Sequence, residues 1–358
     1  MDSIYVTKTY LPPLDEYVSL LQEIWNSHLV TNDGPLYQRF ERELSAFTEI
    51  PHLACVSNGT LALQIAVRAL DLHGDVITTP FTHVASSGCL SWEGCRPVYA
   101  DIDAETLNIN PALIEERITD QTVAILPVHV YSNPCDVEAI ARIAEKHRLK
   151  VIYDGAHAFG AMCNGRSIFA YGDISMASFN ATKGFHTVEG GALFAQNDEE
   201  IASIRRLAYF GMNSQKEIVQ RHGTNAKMIE FCAAMGLLNL RHFLSAVMAR
   251  RRLYEQYVDR LKSNSRIRLQ RLTGEINYSY MPVVCESEVC KQSVISALRA
   301  QSVFPREYFF PSLETVFSSE ITCPIAHDVS RRVLCLPMSD YLTPSDVDRI
   351  CDIVNAAI

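Results

Sequence analysis

The sequence predicts an α/β fold: a mostly parallel central sheet sandwiched by helices, followed by a smaller C-terminal α+β domain. Two observations predict it. From residue 52 onward, short β-branched runs alternate with helical stretches, and the runs are apolar almost throughout, as strands covered on both faces must be. After about residue 240 the texture changes to one long helical run followed by scattered strands and helices. The domains are therefore placed at 1–240 and 241–358. The 358 residues exceed the roughly 100–200 of a typical domain, in keeping with two units.

The elements follow in order. HLACVSN (52–58) reads as a strand and GTLALQIAVRALDLHG (59–74) as a helix that stops at Gly74. DVITTP (75–80) is a strand, HVASSGCLSWEG (83–94) a helix, RPVYADI (96–102) a strand and NPALIEERI (110–118) a helix. TVAILPVHV (122–130) is again a strand. DVEAIARIAEKHR (136–148) has apolar residues three and four apart, the helical period, and KVIYDGA (150–156) returns to a strand. DISMASFN (173–180) and GALFAQ (191–196) are two strands close together with a lysine between them. LRHFLSAVMARRRLYEQYVDRLKS (240–263) is the long helix. NYSYMPVVC (277–285) adds strand, VCKQSVISALRAQ (289–301) helix, and TPSDVDRICDIVNAAI (343–358) a final helix with a Thr/Ser cap signal.

Composition removes several classes of function. Apolar residues make up 48% and charged residues 20%, as in an ordinary globular protein. Net charge is -9 with no long run of one sign, which argues against nucleic acid as a partner. The N-terminus lacks the basic start and apolar block of a secretory signal, and no apolar run approaches the roughly 18–20 residues of a membrane span. The 11 cysteines form no CxxC pair and the 11 histidines no HExxH. They read as reduced thiols of a cytoplasmic protein with no metal site.

In an open parallel sheet ligands sit beyond the carboxyl ends of the strands, so the polar residues there carry the chemistry. Ser57-Asn58-Gly59-Thr60 opens a helix, where free N–H groups and the positive dipole end suit a phosphate; a plain N-cap is the alternative. Asp154 ends a central strand, where a carboxylate needs a partner: a backbone amide, or a ligand cation such as a protonated pyridine nitrogen. Lys183 lies between two segments that belong inside. Either it snorkels to water, or it is held in a dry site as a neutral, nucleophilic amine able to form a Schiff base. Together the three features match the three handles of pyridoxal 5′-phosphate: phosphate, ring nitrogen and aldehyde.

At this point the chain resembles the DegT-type nucleotide-sugar aminotransferases, pyridoxal-phosphate enzymes of the aspartate-aminotransferase fold (fold type I). VSNGTLAL is similar to the family's phosphate turn and VITTPFTHVAS to its cofactor-stacking segment. VIYDGAHAFGA resembles its Asp block, SFNATKGFHTVEGGAL its lysine loop, RHGTNAKM its partner-subunit loop and VLCLPMSDYLT its closing motif. The resemblance implies that Lys183 is the catalytic lysine that forms the internal aldimine and then shuttles protons. Asp154 would pair with the ring nitrogen, His157 would stand near the phenolic oxygen, and His83 would stack on the ring where many relatives have a larger aromatic. For His83 a helix-cap role is the alternative. Gly59, Thr60 and Ser178 would hold the phosphate, joined by Asn225 from the other subunit of a homodimer.

The resemblance further implies transfer of an amino group from glutamate to C4 of a dTDP-4-keto-6-deoxyhexose. The product would be dTDP-4-amino-4,6-dideoxyglucose or its galactose epimer, for surface polysaccharide such as O-antigen. FPREYFFPSL (304–313) resembles the substrate-proximal segment of that group. His186, Arg306 and Tyr308 are the substrate-side candidates, and Phe309 is either a contact or packing. Lysine at 183 argues against the family's dehydratase branch, which has histidine there. The alternatives are an aminotransferase on another nucleotide keto sugar (C3-keto or UDP-linked), a cysteine desulfurase, and a non-catalytic pyridoxal-phosphate-binding sensor.

Overall fold

A computed structural model describes residues 3–358. Seven strands form the main sheet: β1 (Leu53–Val56), β2 (Asp75–Thr78), β3 (Arg96–Tyr99), β4 (Thr122–Leu126), β5 (Lys150–Asp154), β6 (Ile174–Ser178) and β7 (Gly191–Ala195). Their order across the sheet is β1-β7-β6-β5-β4-β2-β3. Only β7 runs antiparallel to its neighbours: it lies between β1 and β6, with Leu193 opposite Ala54 and Met176. Every β5 residue after Lys150 is buried, as expected of a central strand covered on both faces. The expected mostly parallel sheet between helices is what forms.

The C-terminal part of the chain, called the small domain below, carries an antiparallel sheet of β8 (Ile267–Leu269), β9 (Met281–Cys285) and β10 (Val333–Leu336). Helices Glu288–Ala300 and Pro344–Ala357 cover it, burying Val294, Leu298, Val347 and Ile350 against Val283 and Leu334. The last helix carries the cap its sequence announces: Thr343 accepts from the Asp346 amide at 3.2 Å, while the Asp346 carboxylate accepts from the Thr343 amide at 2.9 Å. In addition Ile4–Tyr5 pairs with Val303–Phe304, so the N-terminus is tied to the second half of the chain.

Two boundaries differ from the sequence reading. The helix opened by Gly59 ends at Ala69, not near Gly74, because the chain must turn before entering β2. Gly74 takes φ +147° there, and a Cβ on it would lie 2.5 Å from the Gln121 carbonyl oxygen. The long helix spans Glu230–Leu261, starting ten residues before the expected 240 and running without a break through 240/241, the expected domain boundary. Its first half, with Ala233, Leu237 and Phe243, packs in the main-sheet core, and its second, with Leu253, Tyr257 and Leu261, in the small-domain core. A segment buried on all sides has no amphipathic period to mark its start. By length and hydropathy this 32-residue helix could span a membrane, but half of its most apolar window is buried within the protein itself.

Glu230, 1% exposed at the head of that helix, docks helix Pro35–Thr48. Its carboxylate accepts from the Leu36 amide at 2.9 Å and the Tyr37 amide at 2.8 Å, satisfying N–H groups that have no intrahelical partner. Glu230→Ala is expected to cost about 1.5–3 kcal/mol, the range for buried hydrogen bonds to a charged group, and Glu230→Gln distinctly less. Urea unfolding of the three proteins measures it.

Candidate active site

The carboxyl ends of the parallel strands converge on a cavity of about 350 Å³. After β1 the chain turns through Asn58 into helix Gly59–Ala69, and the Asn58 side chain accepts from the Leu61 amide at 2.9 Å. The amides of Gly59 and Thr60 precede the first intrahelical bond and lie at the cavity wall. A Cβ on Gly59 would lie 2.8 Å from Ser178 Cβ and 3.0 Å from Ser178 Oγ, so glycine is required for the two segments to meet. The result is a cradle of amide and hydroxyl donors at a helix N-terminus, the arrangement that suits a phosphate.

Asp154, at the end of β5, is 4% exposed and lines the same cavity. One carboxylate oxygen accepts from Ser86 Oγ at 2.7 Å and the other from the Ala156 amide at 3.0 Å, which fixes its orientation. Lys183 enters from the loop between β6 and β7, its own amide held by the Asn180 carbonyl at 2.9 Å. Burial lowers the ammonium's pKa to about 8, with the Asp154 charge pulling the other way. Its ammonium forms no ion pair among the described residues.

His157 is buried beside the lysine, and burial, reinforced by Lys183 and His83, pushes its pKa well below the usual histidine range. The ring is therefore neutral. Its Nδ1 accepts from the Tyr131 amide at 3.3 Å, which leaves the proton on Nε2 as a donor. Tyr280 and Phe309 pack on it with ring centroids 4.5 and 5.5 Å away. His83 takes the cap role, Nδ1 capping helix Val84–Trp92 by accepting from the Ala85 amide at 3.2 Å, and it also lines the cavity. Burial and then the Lys183 charge lower its pKa.

Of the sequence-predicted residues, the cavity thus gathers Gly59, Thr60, His83, Asp154, His157, Ser178, Lys183 and Tyr308. Three stand elsewhere. His186 does not face this cavity: it is 2% exposed, with Nε2 on the Tyr10 carbonyl at 2.6 Å and its own carbonyl accepting from Asn239 at 2.7 Å. It therefore pins the loop from behind. Arg306 is exposed, and its backbone pairs with Cys335 at the edge of the small-domain sheet, outside the lining. Asn225 is exposed on the 209–229 loop, where its side chain accepts from Lys227 at 2.6 Å.

Sequence reasoning missed Thr7, Ser86, Asn180, Thr182, Glu189 and Tyr280, which also line the cavity. Asn180, Thr182 and Glu189 sit in the lysine loop itself and were readable as its polar positions. Asn180 links the other two, accepting from Thr182 Oγ1 at 2.8 Å and donating to Glu189 at 2.7 Å. Thr7 and Tyr280 arrive from distant parts of the chain and leave no local signal. Among the described residues no group of three or more His, Cys, Asp or Glu is placed to hold a metal ion.

Comparison with known proteins decides the family. The model of the DegT/DnrJ/EryC1/StrS aminotransferase family matches residues 15–355. The chain belongs to that family. It is a pyridoxal-phosphate-dependent sugar aminotransferase. A dTDP-4-amino-4,6-dideoxy-D-glucose transaminase of Shigella dysenteriae is 40% identical over 361 residues, 98% of each chain. The structure of DesI in the presence of its TDP-sugar product superposes with a TM-score of 0.94 at 29% identity, covering 100% of this chain and 94% of that one. NtdA from Bacillus subtilis with bound cofactor PMP gives 0.89 at 26% identity, over 96% of this chain and 81% of its own. The residues at the cavity fit such a cofactor: a glycine-lined donor cradle, an oriented carboxylate, a neutral imidazole and an amine.

The lowered pKa makes a prediction that needs no turnover. In cofactor-free protein, acetylation of Lys183 followed by mass spectrometry is expected to rise through a midpoint near 8, below the ordinary lysine range. Because the Asp154 carboxylate raises that pKa, Asp154→Asn is expected to move the midpoint lower still.

Proposed function

We propose that this aminotransferase moves the amino group of glutamate to C4 of a dTDP-4-keto-6-deoxyhexose, giving dTDP-4-amino-4,6-dideoxyglucose for surface polysaccharide. One observation carries the reading. An amine, an oriented carboxylate and a helix-start donor cradle meet at one cavity, in a chain 40% identical over 98% of its length to a transaminase named for that product. The bound cofactor supplies the electron sink that makes a carbon next to nitrogen acidic.

The chain's own residues do the rest. Gly59, Thr60 and Ser178 would hold the phosphate through amides and hydroxyls. The Asp154 carboxylate, aimed by Ser86 and Ala156, would keep a proton on the ring nitrogen. His157, with its proton on Nε2, would serve as a hydrogen-bond donor to the cofactor, and His83 would supply an aromatic wall. Lys183 is the acid–base group: as a free amine it takes the donor's α-proton, and as an ammonium it delivers a proton to the sugar carbon. A pKa near the working pH serves both directions.

The site is shared between two subunits of a homodimer. Among the described residues the cavity lining of one chain offers a single lysine and no arginine, so a cation from a partner would complement the amide and hydroxyl donors and the sugar's diphosphate. Asn225 and Lys227, on the 209–229 loop, lie outside this chain's own cavity lining and Asn225 is exposed, which suits delivery to a partner's site. Ten of the 11 cysteines are buried and all are free thiols, in keeping with a cytoplasmic location.

Incubation with glutamate and a panel of dTDP-, UDP- and GDP-linked keto sugars, read by mass spectrometry, is expected to show amination of the dTDP-4-keto substrate. Proton NMR should give the glucose configuration. Preference for another nucleotide or a C3 ketone would overturn the substrate assignment, and no amination of any sugar would favour a sensor. Lys183→Ala should lose all turnover. Mixing Lys183→Ala with Asn225→Ala chains should restore one good site per heterodimer; mixtures as inactive as the parents would mean that each site is built within one chain.

A further inference from the structure

We infer that Arg250 is a positioning residue of this enzyme: through its contacts it fixes where the Lys183 loop and His157 stand relative to one another. The inference rests on the reading of Lys183 as the reactive amine. Arg250 lies on the long helix between the part that packs in the main core (Phe243) and the part that packs in the small domain (Leu253). Its side chain is 3% exposed. Nη1 donates to both carboxylate oxygens of Asp340, at 3.1 and 3.2 Å, and Nε to the Asn277 carbonyl at 3.3 Å.

Two branches run from this node to the site. Asn277 Nδ2 donates to the His157 carbonyl at 2.7 Å, so Arg250 reaches His157 through one residue. On the other side, Arg250 Nη2 and the Ser279 hydroxyl are both buried without a hydrogen-bond partner. Both stand against the residue that follows the lysine, Ser279 closely and Arg250 behind it: a Cβ on Gly184 would lie 1.8 Å from Ser279 Oγ and, at ordinary contact distance, 3.5 Å from Arg250 Nη2. A buried guanidinium with one nitrogen unsatisfied is a poor device for stability, which an apolar side chain of like volume would serve better. As a rigid stop behind the lysine loop it is well suited: planar, always charged and fixed by Nη1 on Asp340 and Nε on the Asn277 carbonyl. Displacement of a reacting group by about 1 Å is enough to cost a large factor in rate.

Arg250→Lys keeps the charge but loses the planar fork. Gly184→Ala drives the loop off Ser279 while meeting Arg250 Nη2 only at ordinary contact distance, and Gly184→Ala with Ser279→Gly removes the clash again. Each protein is measured for its melting temperature, for the acetylation midpoint of Lys183 in cofactor-free form, and for kcat and KM in holoenzyme. Arg250→Lys and Gly184→Ala are expected to lower kcat about tenfold or more with the sugar's KM held within about twofold. The Lys183 midpoint should rise from about 8 toward ordinary lysine values as the loop admits water. Adding Ser279→Gly to Gly184→Ala should restore both. Unchanged midpoint and kcat in Arg250→Lys, or a double variant as impaired as Gly184→Ala alone, would overturn the inference; should Arg250→Lys fail to fold, Asp340→Asn, which loosens the hold on the guanidinium, is read by the same criteria. Turnover by Lys183→Ala protein would instead defeat the underlying reading, and the midpoint, which needs no turnover, tells the two failures apart.

Discussion

The structure depends on holding an amine where burial penalises its charge. Desolvation pulls the Lys183 ammonium toward neutrality, and the Asp154 carboxylate partly opposes it. The balance leaves the amine poised near neutral pH, and it requires a dry wall on one side and a carboxylate on the other. A parallel sheet supplies both at one edge. Its strands end together, so a side chain at the last position of β5 and a loop leaving β6 open into the same space. The antiparallel β7 then returns the lysine loop through the sheet between β1 and β6, anchoring both ends of the loop in the core.

That anchoring explains why the polar residues behind the site are so tightly bonded. His186, Asn239 and Tyr10 tie the back of the lysine loop to the long helix and the N-terminal segment. Thr9 adds a hydroxyl bond to the Ala181 carbonyl at 2.9 Å. Asn133 and Asn277 hold irregular segments next to His157 by side-chain bonds to backbone carbonyls. Loops at a strand edge have no ladder to satisfy their backbone groups, so side chains must do it. The cavity is correspondingly rigid on the side that carries the chemistry, and its exposed polar rim of Asn180, Thr182 and Glu189 lies at the loop's outer turn.

Much of this was legible in the sequence because it is local. The run of buried residues in KVIYD, the Asn58 cap and Gly59 before an apolar helix, and a lysine among small residues each follow from short-range chemistry. What was not legible depends on chain segments meeting from far apart. Glu230 caps a helix that begins 195 residues earlier, at Pro35 (230 − 35 = 195). Thr7 and Tyr280 reach the cavity only because Ile4–Tyr5 pairs with Val303–Phe304 and β9 leads in beside His157. His186 misled for the converse reason: it follows the lysine closely, but the loop turns over at Gly184 and sends the imidazole inward. Arg306 sits two residues from Tyr308, yet its backbone is drawn into pairing with Cys335 while Tyr308 is carried to the cavity.

His83 shows why the bland reading of a residue and the sharp one need not compete. As a cap it must present Nδ1 to the Ala85 amide, and that demand fixes the plane of the ring. With the plane fixed, His83 lines the cavity at no further conformational cost, since the rotamer is already set by the helix start. A phenylalanine or tyrosine at this position would offer a broader face but no cap, and the helix would have to begin with an unsatisfied amide. The smaller ring thus gives up area for a fixed orientation. The same economy recurs at His157, where the bond that satisfies the Tyr131 amide also selects the tautomer that faces the site. In both, a structural hydrogen bond on one nitrogen determines what the other nitrogen can do.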